Sequence, residues 1–373
     1  MKWLFWCASG IIVYTYFGYP GWLWVKSRWR TKPVQAGAFE PPISIVMVVR
    51  NEAAVLERKL NNLQRLDYPA NLREIIVVSD GSTDASNQIL AEYERQGAVH
   101  AIVHEEARGK AAGLNDAIAM ARGEIVVFAD ARQEIEGAAV RRLMEDFADP
   151  TVGCVSGELM LGDPNAGESA QGMGLYWRVE KKIRELEAAS GSVIGATGAI
   201  YAVRRGLLTP LPPETILDDV LIPMNVVRQG ARVIFDPRAR AWDLPHLGAG
   251  REFSRKVRTL SGNYQLLQLA PWLLQRGNPA RFEFISHKLM RLAVPFALTA
   301  TLVASLWLRE PIYRAALGLQ VAFYALSVLA VARLKRGPVA RMADAAFTFV
   351  VLNTAALVAF ANFVTGRKAA WGR

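Results

Sequence analysis

Acidic residues follow short apolar runs in the central part of the chain, where their carboxylates could do chemistry together. Asp80 and Asp84 come after one such run, and Asp130 comes directly after another. A pair, Asp218-Asp219, stands before the apolar residues 220–222. Carboxylate oxygens are the ligands that Mg²⁺ and Mn²⁺ prefer, and a positioned carboxylate removes a proton from a hydroxyl group. Each single acid also fits a turn or a helix N-cap, and the pair fits a helix N-terminus, which the helix dipole favours.

The surrounding pattern predicts the strands and helices that position these acids. Short runs rich in β-branched residues are typical of buried parallel strands, and the stretches between them have helical spacing. The predicted strands are Ile43–Val49, Glu74–Val78, Val99–Val103 and Glu124–Ala129, and the predicted helices are Glu52–Leu66, Ala85–Gln96 and Lys110–Arg122. This alternation predicts an α/β domain with a mostly parallel sheet and helices on both faces.

Ligands bind such sheets at the carboxyl ends of the strands. Polar residues stand there in three groups, namely Arg50-Asn51-Glu52, Asp80 to Asp84, and Asp130-Ala131-Arg132. No Gly-x-Gly-x-x-Gly motif follows the first strand, which argues against a dinucleotide-binding Rossmann domain. No P-loop motif occurs in the sequence either. We therefore expect a ligand at this edge that neither of these two motifs recognises.

The composition indicates a protein with one soluble and one membrane-embedded part. Of the 373 residues, 52% are hydrophobic and 21% are charged, and the mean hydropathy is +0.15. This mixture excludes a disordered chain, a collagen-like chain and a small disulfide-stapled scaffold. The net charge of +10 fits anionic lipid or a phosphorylated substrate, and no nucleic-acid recognition motif occurs, so no nucleic-acid partner is expected. Cys7 and Cys154 lie in different surroundings, so we expect no disulfide.

Four uncharged apolar runs predict four transmembrane helices. The first, Trp3–Val25, is rich in aromatic residues that suit membrane interfaces, and the basic residues after it argue against a cleaved signal peptide. The other three runs are Leu292–Leu308, Ala315–Ala332 and Ala345–Thr365. A helix rises about 1.5 Å per residue and the hydrocarbon layer is about 30 Å thick, so Leu292–Leu308 is short for a span.

Basic residues in short loops predict the orientation of the spans. Lys26 to Lys32, and the group Arg333, Lys335, Arg336 and Arg341, belong on the cytoplasmic side by the positive-inside rule. The protein is then a multi-pass protein of the inner (plasma) membrane with a cytoplasmic soluble domain. Arg367, Lys368 and Arg373 would lie outside, against the rule, so the orientation of the last span stays open.

The predicted organisation has six parts. They are an N-terminal transmembrane helix at 1–25, a linker at 26–41, the soluble domain at 42–250, interfacial amphipathic helices at 251–290, three transmembrane helices at 291–366 and a tail at 367–373. Within the interfacial part, Phe253–Gln275 mixes basic and apolar residues, as a helix at a membrane surface does. For Trp177, which begins a helical stretch, core packing is favoured over a place beside a binding site. The four histidines have no zinc-ligand spacing and receive no role.

Six short motifs occur in a fixed order along the soluble domain. They are Ile43-Ser44-Ile45-Val46 with Arg50-Asn51-Glu52, then Val78-Ser79-Asp80-Gly81-Ser82-Thr83-Asp84, Arg108-Gly109-Lys110-Ala111-Ala112-Gly113-Leu114-Asn115, Phe128-Ala129-Asp130-Ala131, Gly195-Ala196-Thr197-Gly198 and Thr215-Ile216-Leu217-Asp218-Asp219-Val220. Together they resemble the family 2 glycosyltransferases of the GT-A fold, over about 42 to 259. With its flanking spans, the chain is similar to membrane polysaccharide synthases of the cellulose, chitin and hyaluronan type. The resemblance implies a Rossmann-like GT-A catalytic domain between transmembrane helices.

The resemblance also implies a role for the motif residues that would bind the donor. Glu52 and Asp80 would hold the uridine of a UDP-sugar, and Lys110 would contact its diphosphate. Asp130 matches the first acid of the family's Asp-x-Asp motif, which holds Mg²⁺ or Mn²⁺ against the diphosphate. Where the second acid belongs stands Arg132, so the metal rests on Asp130, or Arg132 supplies part of the positive charge itself.

The acid pair matches the family's catalytic residues. Asp219 would be the base that takes a proton from the acceptor hydroxyl, with inversion at the anomeric carbon, and Asp218 stands where the family usually has Glu. The Gln-x-x-Arg-Trp motif of processive synthases is altered here to Arg255-Lys256-Val257-Arg258-Thr259. Repeated extension of a chain is therefore in question. Arg258 and its basic neighbours either bind pyrophosphate or form a basic face near anionic lipid.

The sequence thus predicts an inverting hexosyl- or N-acetylhexosaminyl-transferase. It would move a sugar from a UDP-sugar to a polysaccharide or lipid-linked acceptor at the cytoplasmic membrane face, with a homo-oligomer or an export partner as a further option. Two alternatives stay open, namely single-sugar transfer to a lipid acceptor and a non-catalytic subunit that binds the donor. The sugar, the acceptor and the linkage are not determined by the motifs.

Overall fold

The computed structural model describes residues 1–162, 175–243, 249–331 and 337–367. An α/β domain occupies the middle of the chain, and long helices form both ends. The strands are β1 (Ile43–Val49), β2 (Arg73–Asp80), β3 (His100–His104), β4 (Ile125–Ala129), β5 (Glu134–Ile135), β6 (Val152–Leu161), β7 (Ile200–Arg204) and β8 (Arg232–Asp243). The α-helices are α1 (Lys2–Val13), α2 (Tyr19–Trp29), α3 (Ala53–Gln64), α4 (Ser86–Arg95), α5 (Lys110–Met120), α6 (Ala139–Asp146), α7 (Leu175–Ser190), α8 (Asp218–Arg228), α9 (Ala249–Leu269), α10 (Arg281–Phe284), α11 (Met290–Trp307), α12 (Pro311–Val331) and α13 (Pro338–Val364).

One mixed sheet forms the centre of the α/β domain. Its eight strands lie in the order β3-β2-β1-β4-β7-β6-β8-β5. The strands β1 to β4 pair in parallel, which confirms the predicted β-α-β order. The strand β7 is antiparallel to both β4 and β6, whereas β6 and β8 are parallel. Since the chain continues to β2 on one side of β1 and to β4 on the other, the switch point where such sheets bind ligands lies at the carboxyl ends of β1 and β4.

Helices cover both faces of the sheet, so β1 is buried at every residue. Side chains alternate across a strand, and Ile45 and Met47 pack on the face covered by α3, α4 and α6. Val46 and Val48 pack on the other face, against α5 and α8. The unbroken apolar run of β1 is explained by this two-sided burial.

Three helices in the described part of the chain are long and apolar enough to cross a membrane. They are Arg281–Trp307, Pro311–Ala330 and Pro338–Val364, and they correspond to the three C-terminal spans that the sequence predicts. The first begins well before Leu292, because a π-helical segment, Ile285–Leu289, joins α10 to α11 without a break. One continuous helix therefore runs from the predicted interfacial region at 251–290 into the first predicted C-terminal span. The place of residues 281–290 at the membrane surface stays a prediction.

The N-terminal helix is not among these three helices, although it is about as long as they are. Its tryptophans, tyrosines and glycines give it a lower hydropathy than aliphatic residues would, as suits an interfacial composition. In the structure it runs antiparallel to Arg281–Trp307, since Lys2 lies 2.5 Å from Glu310 at one end and Lys26 lies 2.5 Å from Glu283 at the other. A fourth span at Trp3–Val25 stays a prediction.

The segment between Trp29 and Ile43 contains no helix or strand, as expected of the predicted linker at 26–41, although α2 continues into its first residues. Part of the predicted topology lies outside the described residues, namely Arg333, Lys335, Arg336, Lys368 and Arg373. The orientation that depends on them stays a prediction.

Candidate active site

A cavity of about 1020 Å³ opens at the carboxyl ends of β1 and β4. Six of the seven site residues that the sequence predicts line it, namely Glu52, Lys110, Asp130, Asp218, Asp219 and Arg258. The fold brings them together from distant positions. Asp130 directly follows β4, Lys110 is the first residue of α5, and the acid pair forms the first turn of α8.

Lys110 is held between two of the carboxylates. Its Nζ lies 3.1 Å from Oδ1 of Asp130 and 3.1 Å from Oδ2 of Asp218. Burial opposes the charge of this ammonium group, but the carboxylates of Asp130, Asp218 and Asp219 outweigh that effect and raise its pKa. Lys110 is therefore a cation at neutral pH, placed to neutralise acidic oxygens at the bottom of the cavity.

Asp219 has an elevated pKa of about 6. Burial is the main cause, the charge of Asp218 adds to it, and Lys110 acts in the opposite direction. The main chain fixes this residue, because the backbone N–H of Ala196 donates to its carbonyl oxygen at 2.7 Å. A carboxyl group with this pKa is largely ionised at neutral pH yet basic enough to accept a proton, as a general base must.

Gly198 lies between two carboxylates on the cavity floor. A Cβ atom at this position would lie 3.1 Å from Oδ2 of Asp130 and 3.7 Å from Oδ2 of Asp219. These two oxygens therefore face the same small space, which a larger residue in the Gly195–Gly198 motif would fill.

Asp80, the seventh predicted residue, is fully buried at the end of β2 and is not part of the cavity lining. Its two carboxylate oxygens accept the backbone N–H groups of Arg108, at 2.7 Å, and Gly109, at 2.9 Å. Asp80 thus fixes the turn that precedes Lys110. Its contact with a nucleoside stays a prediction.

Two basic residues, Arg132 and Lys59, hold the loop after β4 in place through an ion pair and a hydrogen bond. Nη2 of Arg132 lies 3.0 Å from Oε1 of Glu52, so the residue in the place of a second acid forms an ion pair across the cavity mouth. Beneath it, Nζ of the buried Lys59 donates to the carbonyl oxygen of Gln133 at 2.7 Å. Burial lowers the pKa of Lys59 to about 7. The patterns in the sequence gave no reason to single out this lysine, since it stands on the apolar face of a helix.

The residues present fit a metal ion that is shared with a substrate. In the described ranges, no group of three or more histidine, cysteine or acidic side chains could hold an ion by itself. Mg²⁺ is commonly bound by one or two carboxylates together with phosphate oxygens and waters. Asp130, a single carboxylate at the cavity, matches that pattern once a diphosphate is bound.

One wall of the cavity comes from α7, whose Trp177, Glu180, Lys181 and Arg184 recur at helical spacing along its lining face. The favoured prediction of core packing for Trp177 is wrong, because the side chain lies at the cavity and is only half-buried. The helical period was visible in the sequence. The period could not show that this face of α7 borders a cavity and not the core.

Helices near the membrane complete the lining. Arg255 and Arg258 of α9 belong to it, whereas Lys256 points elsewhere and pairs with Glu252. Val358 and Asn362, which stand on the long apolar helix α13, also belong to it. Nothing in the local sequence of α13 indicates such a contact. The cavity therefore extends from the strand ends to a helix that is apolar enough to cross a membrane.

Comparisons with known proteins agree with this geometry. Residues 44–209 match the family described as Glycosyl transferase family 2. The poly-beta-1,6-N-acetyl-D-glucosamine synthase of Staphylococcus epidermidis is 25% identical over 239 residues, which are 62% of this chain and 56% of that protein. The beta-monoglucosyldiacylglycerol synthase of Synechocystis sp. is 24% identical over 281 residues, which are 72% of this chain and 58% of that protein. The chain thus matches a little over half the length of these relatives.

One solved structure shares the fold over nearly the whole chain. It is that of the mannosyltransferase PcManGT from Pyrobaculum calidifontis in complex with GDP-Man and Mn²⁺. The two chains superpose with a TM-score of 0.75 and 23% identity, covering 98% of this chain and 99% of the other. The GT-A-like fold is therefore shared by both.

Proposed function

Because residues 44–209 match glycosyl transferase family 2, we propose that this chain is a membrane-bound inverting glycosyltransferase. It moves a hexosyl or N-acetylhexosaminyl group from a UDP-sugar to a polysaccharide or lipid-linked acceptor at the cytoplasmic face of the plasma membrane. The observation that carries this proposal is the cluster of Lys110, Asp130, Asp218 and Asp219 on the floor of the cavity.

The donor is held by charge at the leaving group. A nucleoside diphosphate gains negative charge as the glycosidic bond breaks, so cations near it stabilise the transition state. Lys110 lies at the cavity floor and Arg258 lines the side near α9, and both contact the diphosphate in this proposal. Glu52 and Asp80 bind the uridine, with Asp80 also fixing the turn before Lys110.

A divalent cation, Mg²⁺ or Mn²⁺, would be held by Asp130 together with the donor and would neutralise diphosphate charge. Arg132 supports a second arrangement, in which its guanidinium leaves Glu52 and adds positive charge to the same region. The two arrangements differ in their response to a chelator.

Asp219 is the base. Its carboxylate accepts the proton of the acceptor hydroxyl while the oxygen attacks the anomeric carbon from the side opposite the leaving diphosphate, so the configuration inverts. Asp218 keeps Lys110 in place through the 3.1 Å ion pair and raises the pKa of Asp219. The retention of this coupled set argues against a subunit that only binds the donor.

The acceptor approaches from the membrane side. Support comes from Val358 and Asn362 of α13, which border the same cavity as the acid cluster. Among the relatives, one is named for a polymer of N-acetylglucosamine and another for a glucosyl lipid. Because the tryptophan of Gln-x-x-Arg-Trp is replaced by Thr259, transfer of a single sugar to a lipid is the second candidate.

A donor panel tests the proposal. The protein, purified in detergent and supplied with native membrane lipids, is incubated with a set of UDP-sugars in Mg²⁺, Mn²⁺ or EDTA, and UDP release is measured. We expect release from one donor and its loss in EDTA. Release that persists in EDTA would support Arg132 in place of the metal, and no release from any donor would contradict a UDP-sugar transferase.

A further inference from the structure

A buried histidine joins the catalytic domain to the helices of the membrane part. His287, which is 2% exposed, lies between Glu180 and Glu187 of α7, which are 7% and 1% exposed. Its Nδ1 is 2.7 Å from Oε1 of Glu187, and its Nε2 is 3.0 Å from Oε1 of Glu180. An ionised carboxylate only accepts hydrogen bonds, so both ring nitrogens must carry a proton. The geometry therefore indicates an imidazolium between two carboxylates.

The surrounding groups keep both carboxylates ionised. Burial opposes the charge of Glu180, but Arg291, whose Nη1 lies 2.6 Å from its Oε2, and His287 hold its pKa well below the usual range. Arg184 faces the same carboxylate at 3.9 Å. For Glu187, burial again opposes the charge, and His287 and the hydroxyl of Tyr19, which donates to Oε1 at 2.6 Å, lower the pKa.

Two further groups face this network. The backbone N–H of Ile194 donates to Oε2 of Glu187 at 3.3 Å, and the ammonium group of Lys288, next to the histidine in the chain, interacts with Glu180. Both acids that contact His287 stand on α7, and the cations near them stand on α7 and on the helix that contains His287. Lys288 also interacts with Asp219 of α8. Removing one member leaves a buried charge without its partner, which is costly.

The helix geometry is irregular where this network forms. The helix of His287 contains a π-helical segment at Ile285–Leu289, and the N-terminal helix contains another at Tyr14–Gly18, directly before Tyr19. The hydroxyl groups of Tyr14 and Ser286 are 2.7 Å apart and join the two segments. π-helical turns inside α-helices occur frequently at functional sites. Both irregularities thus lie where the two helices meet α7.

Glu180 connects the network to the active-site cavity, since it lines the same wall as Trp177, Lys181 and Arg184. We propose that His287 is a positioning residue for the transfer reaction: as an imidazolium clamped between Glu180 and Glu187, it fixes α7 against the membrane helices and so sets the acceptor-side wall of the cavity. Its effect on catalysis rests on the proposed function, whereas the clamp itself does not.

The test uses the full-length protein with His287→Gln, which keeps a hydrogen-bonding side chain but no positive charge. Hydrogen exchange followed by mass spectrometry should show amides of α7 exchanging about tenfold faster or more, because a buried ion pair has lost one partner. Amides of β1 should not change. With the donor identified in the panel, transfer to added native-membrane vesicles should show a KM for the vesicle acceptor about tenfold higher, while the donor KM and UDP release into water should not change.

Two further variants sharpen this test. His100→Gln, at an exposed position on β3, is the matched control and should behave as the unmodified protein. If His287→Gln does not fold, Glu187→Gln replaces it, since that residue is not in the cavity lining and its loss should change α7 exchange in the same direction.

Unchanged α7 exchange in the folded variants would overturn the clamp. An equal loss of UDP release into water and of transfer would overturn the positioning role, because it would indicate general disruption. If the unmodified protein releases UDP from no donor, the proposed function fails, and the exchange measurement still decides whether the clamp exists.

Discussion

The carboxylates of Asp130, Asp218 and Asp219 all interact with the ammonium group of Lys110 on the cavity floor. Their chemistry depends on which of them pair with it directly. Lys110 pairs directly with Asp130 and Asp218, which leaves Asp219 with the pKa of about 6 that suits a base. The sequence predicted all three acids as site residues, Asp130 from its place after a strand and the pair Asp218-Asp219 from its match to a family motif. It could not predict the pairing, because Lys110 and Asp218 are far apart in the chain and meet only through the packing of α5 and α8 on one sheet face.

The pH dependence of transfer should reflect Asp219. A base acts in its ionised form, so kcat/KM should rise with pH through about 6 and level off above it. Asp218→Asn removes a negative charge that raises this pKa, and the rising limb should therefore move to lower pH. The measurement is kcat/KM between about pH 4 and about pH 8, two units to either side of the pKa of about 6. Asp67→Asn, an exposed acid outside the cavity lining, is the control, and a limb that stays in place in Asp218→Asn would contradict the coupling.

Lys110→Met should weaken donor binding. The methionine keeps the length of the side chain but not the charge that faces the diphosphate, and hydrogen bonds to charged groups contribute about 1.5–3 kcal/mol, so UDP should bind roughly tenfold to a hundredfold more weakly. Calorimetric titration of UDP gives the affinity directly. Lys182→Met, at an exposed lysine on α7 that pairs with Glu185, should bind UDP normally, and equal affinity in both variants would argue against a contact with the diphosphate.

At the scale of elements, the first four strands were predictable and the rest of the sheet was not. The strands β1 to β4 alternate with helices and each contains a short apolar run, which is a local signal. The strand β7, by contrast, lies between β4 and β6 and is antiparallel to both. This arrangement depends on pairing between distant segments, and no local pattern encodes it. The helix α5 shows how closely these elements pack, because Gly113 lets it lie directly on Val48 and Val78.

Gly113→Ala should destabilise the domain and weaken donor binding. A Cβ atom at this position would lie 2.8 Å from Cγ1 of Val48, so α5 and the Lys110 at its start must shift. Overpacking of this kind costs about 1–3 kcal/mol, and the better helix propensity of alanine offsets about 1 kcal/mol of it. Thermal unfolding in detergent and UDP affinity are the measurements. Gly137→Ala, where a Cβ atom meets nothing within 4 Å, is the control. Equal melting temperatures of Gly113→Ala and Gly137→Ala would contradict the close packing at Gly113.

At the scale of the whole molecule, the helices at both ends of the chain pack against each other and against the catalytic domain, with α1 on α11 and α2 on α7. Local hydropathy was sufficient to predict the three C-terminal helices that are long and apolar enough to cross a membrane. It could not predict that the first of these helices begins at Arg281, because residues 281–289 mix charged and apolar side chains. The N-terminal helix runs antiparallel to Arg281–Trp307, with an ion pair at each end. This arrangement agrees with a catalytic domain whose two ends both meet the membrane on the same side.

The topology can be tested with single cysteines. In a Cys7→Ser background, Arg309→Cys stands at the exposed turn between the first two C-terminal spans, and Glu94→Cys stands on the exposed surface of α4. A membrane-impermeant maleimide added to intact cells should label position 309 only, and lysis should make position 94 reactive. Labelling of position 94 in intact cells would contradict a cytoplasmic catalytic domain.

The most direct test of the central claim is transfer by Asp219→Asn. Asparagine has nearly the same shape but cannot accept the proton, and a positioned general base contributes about 10²–10⁴-fold to the rate. We predict that UDP affinity and thermal stability are retained while transfer of labelled sugar to native membrane acceptors falls by at least about a hundredfold. Transfer near the unmodified rate in a folded Asp219→Asn protein would show that Asp219 is not the base and would contradict the account.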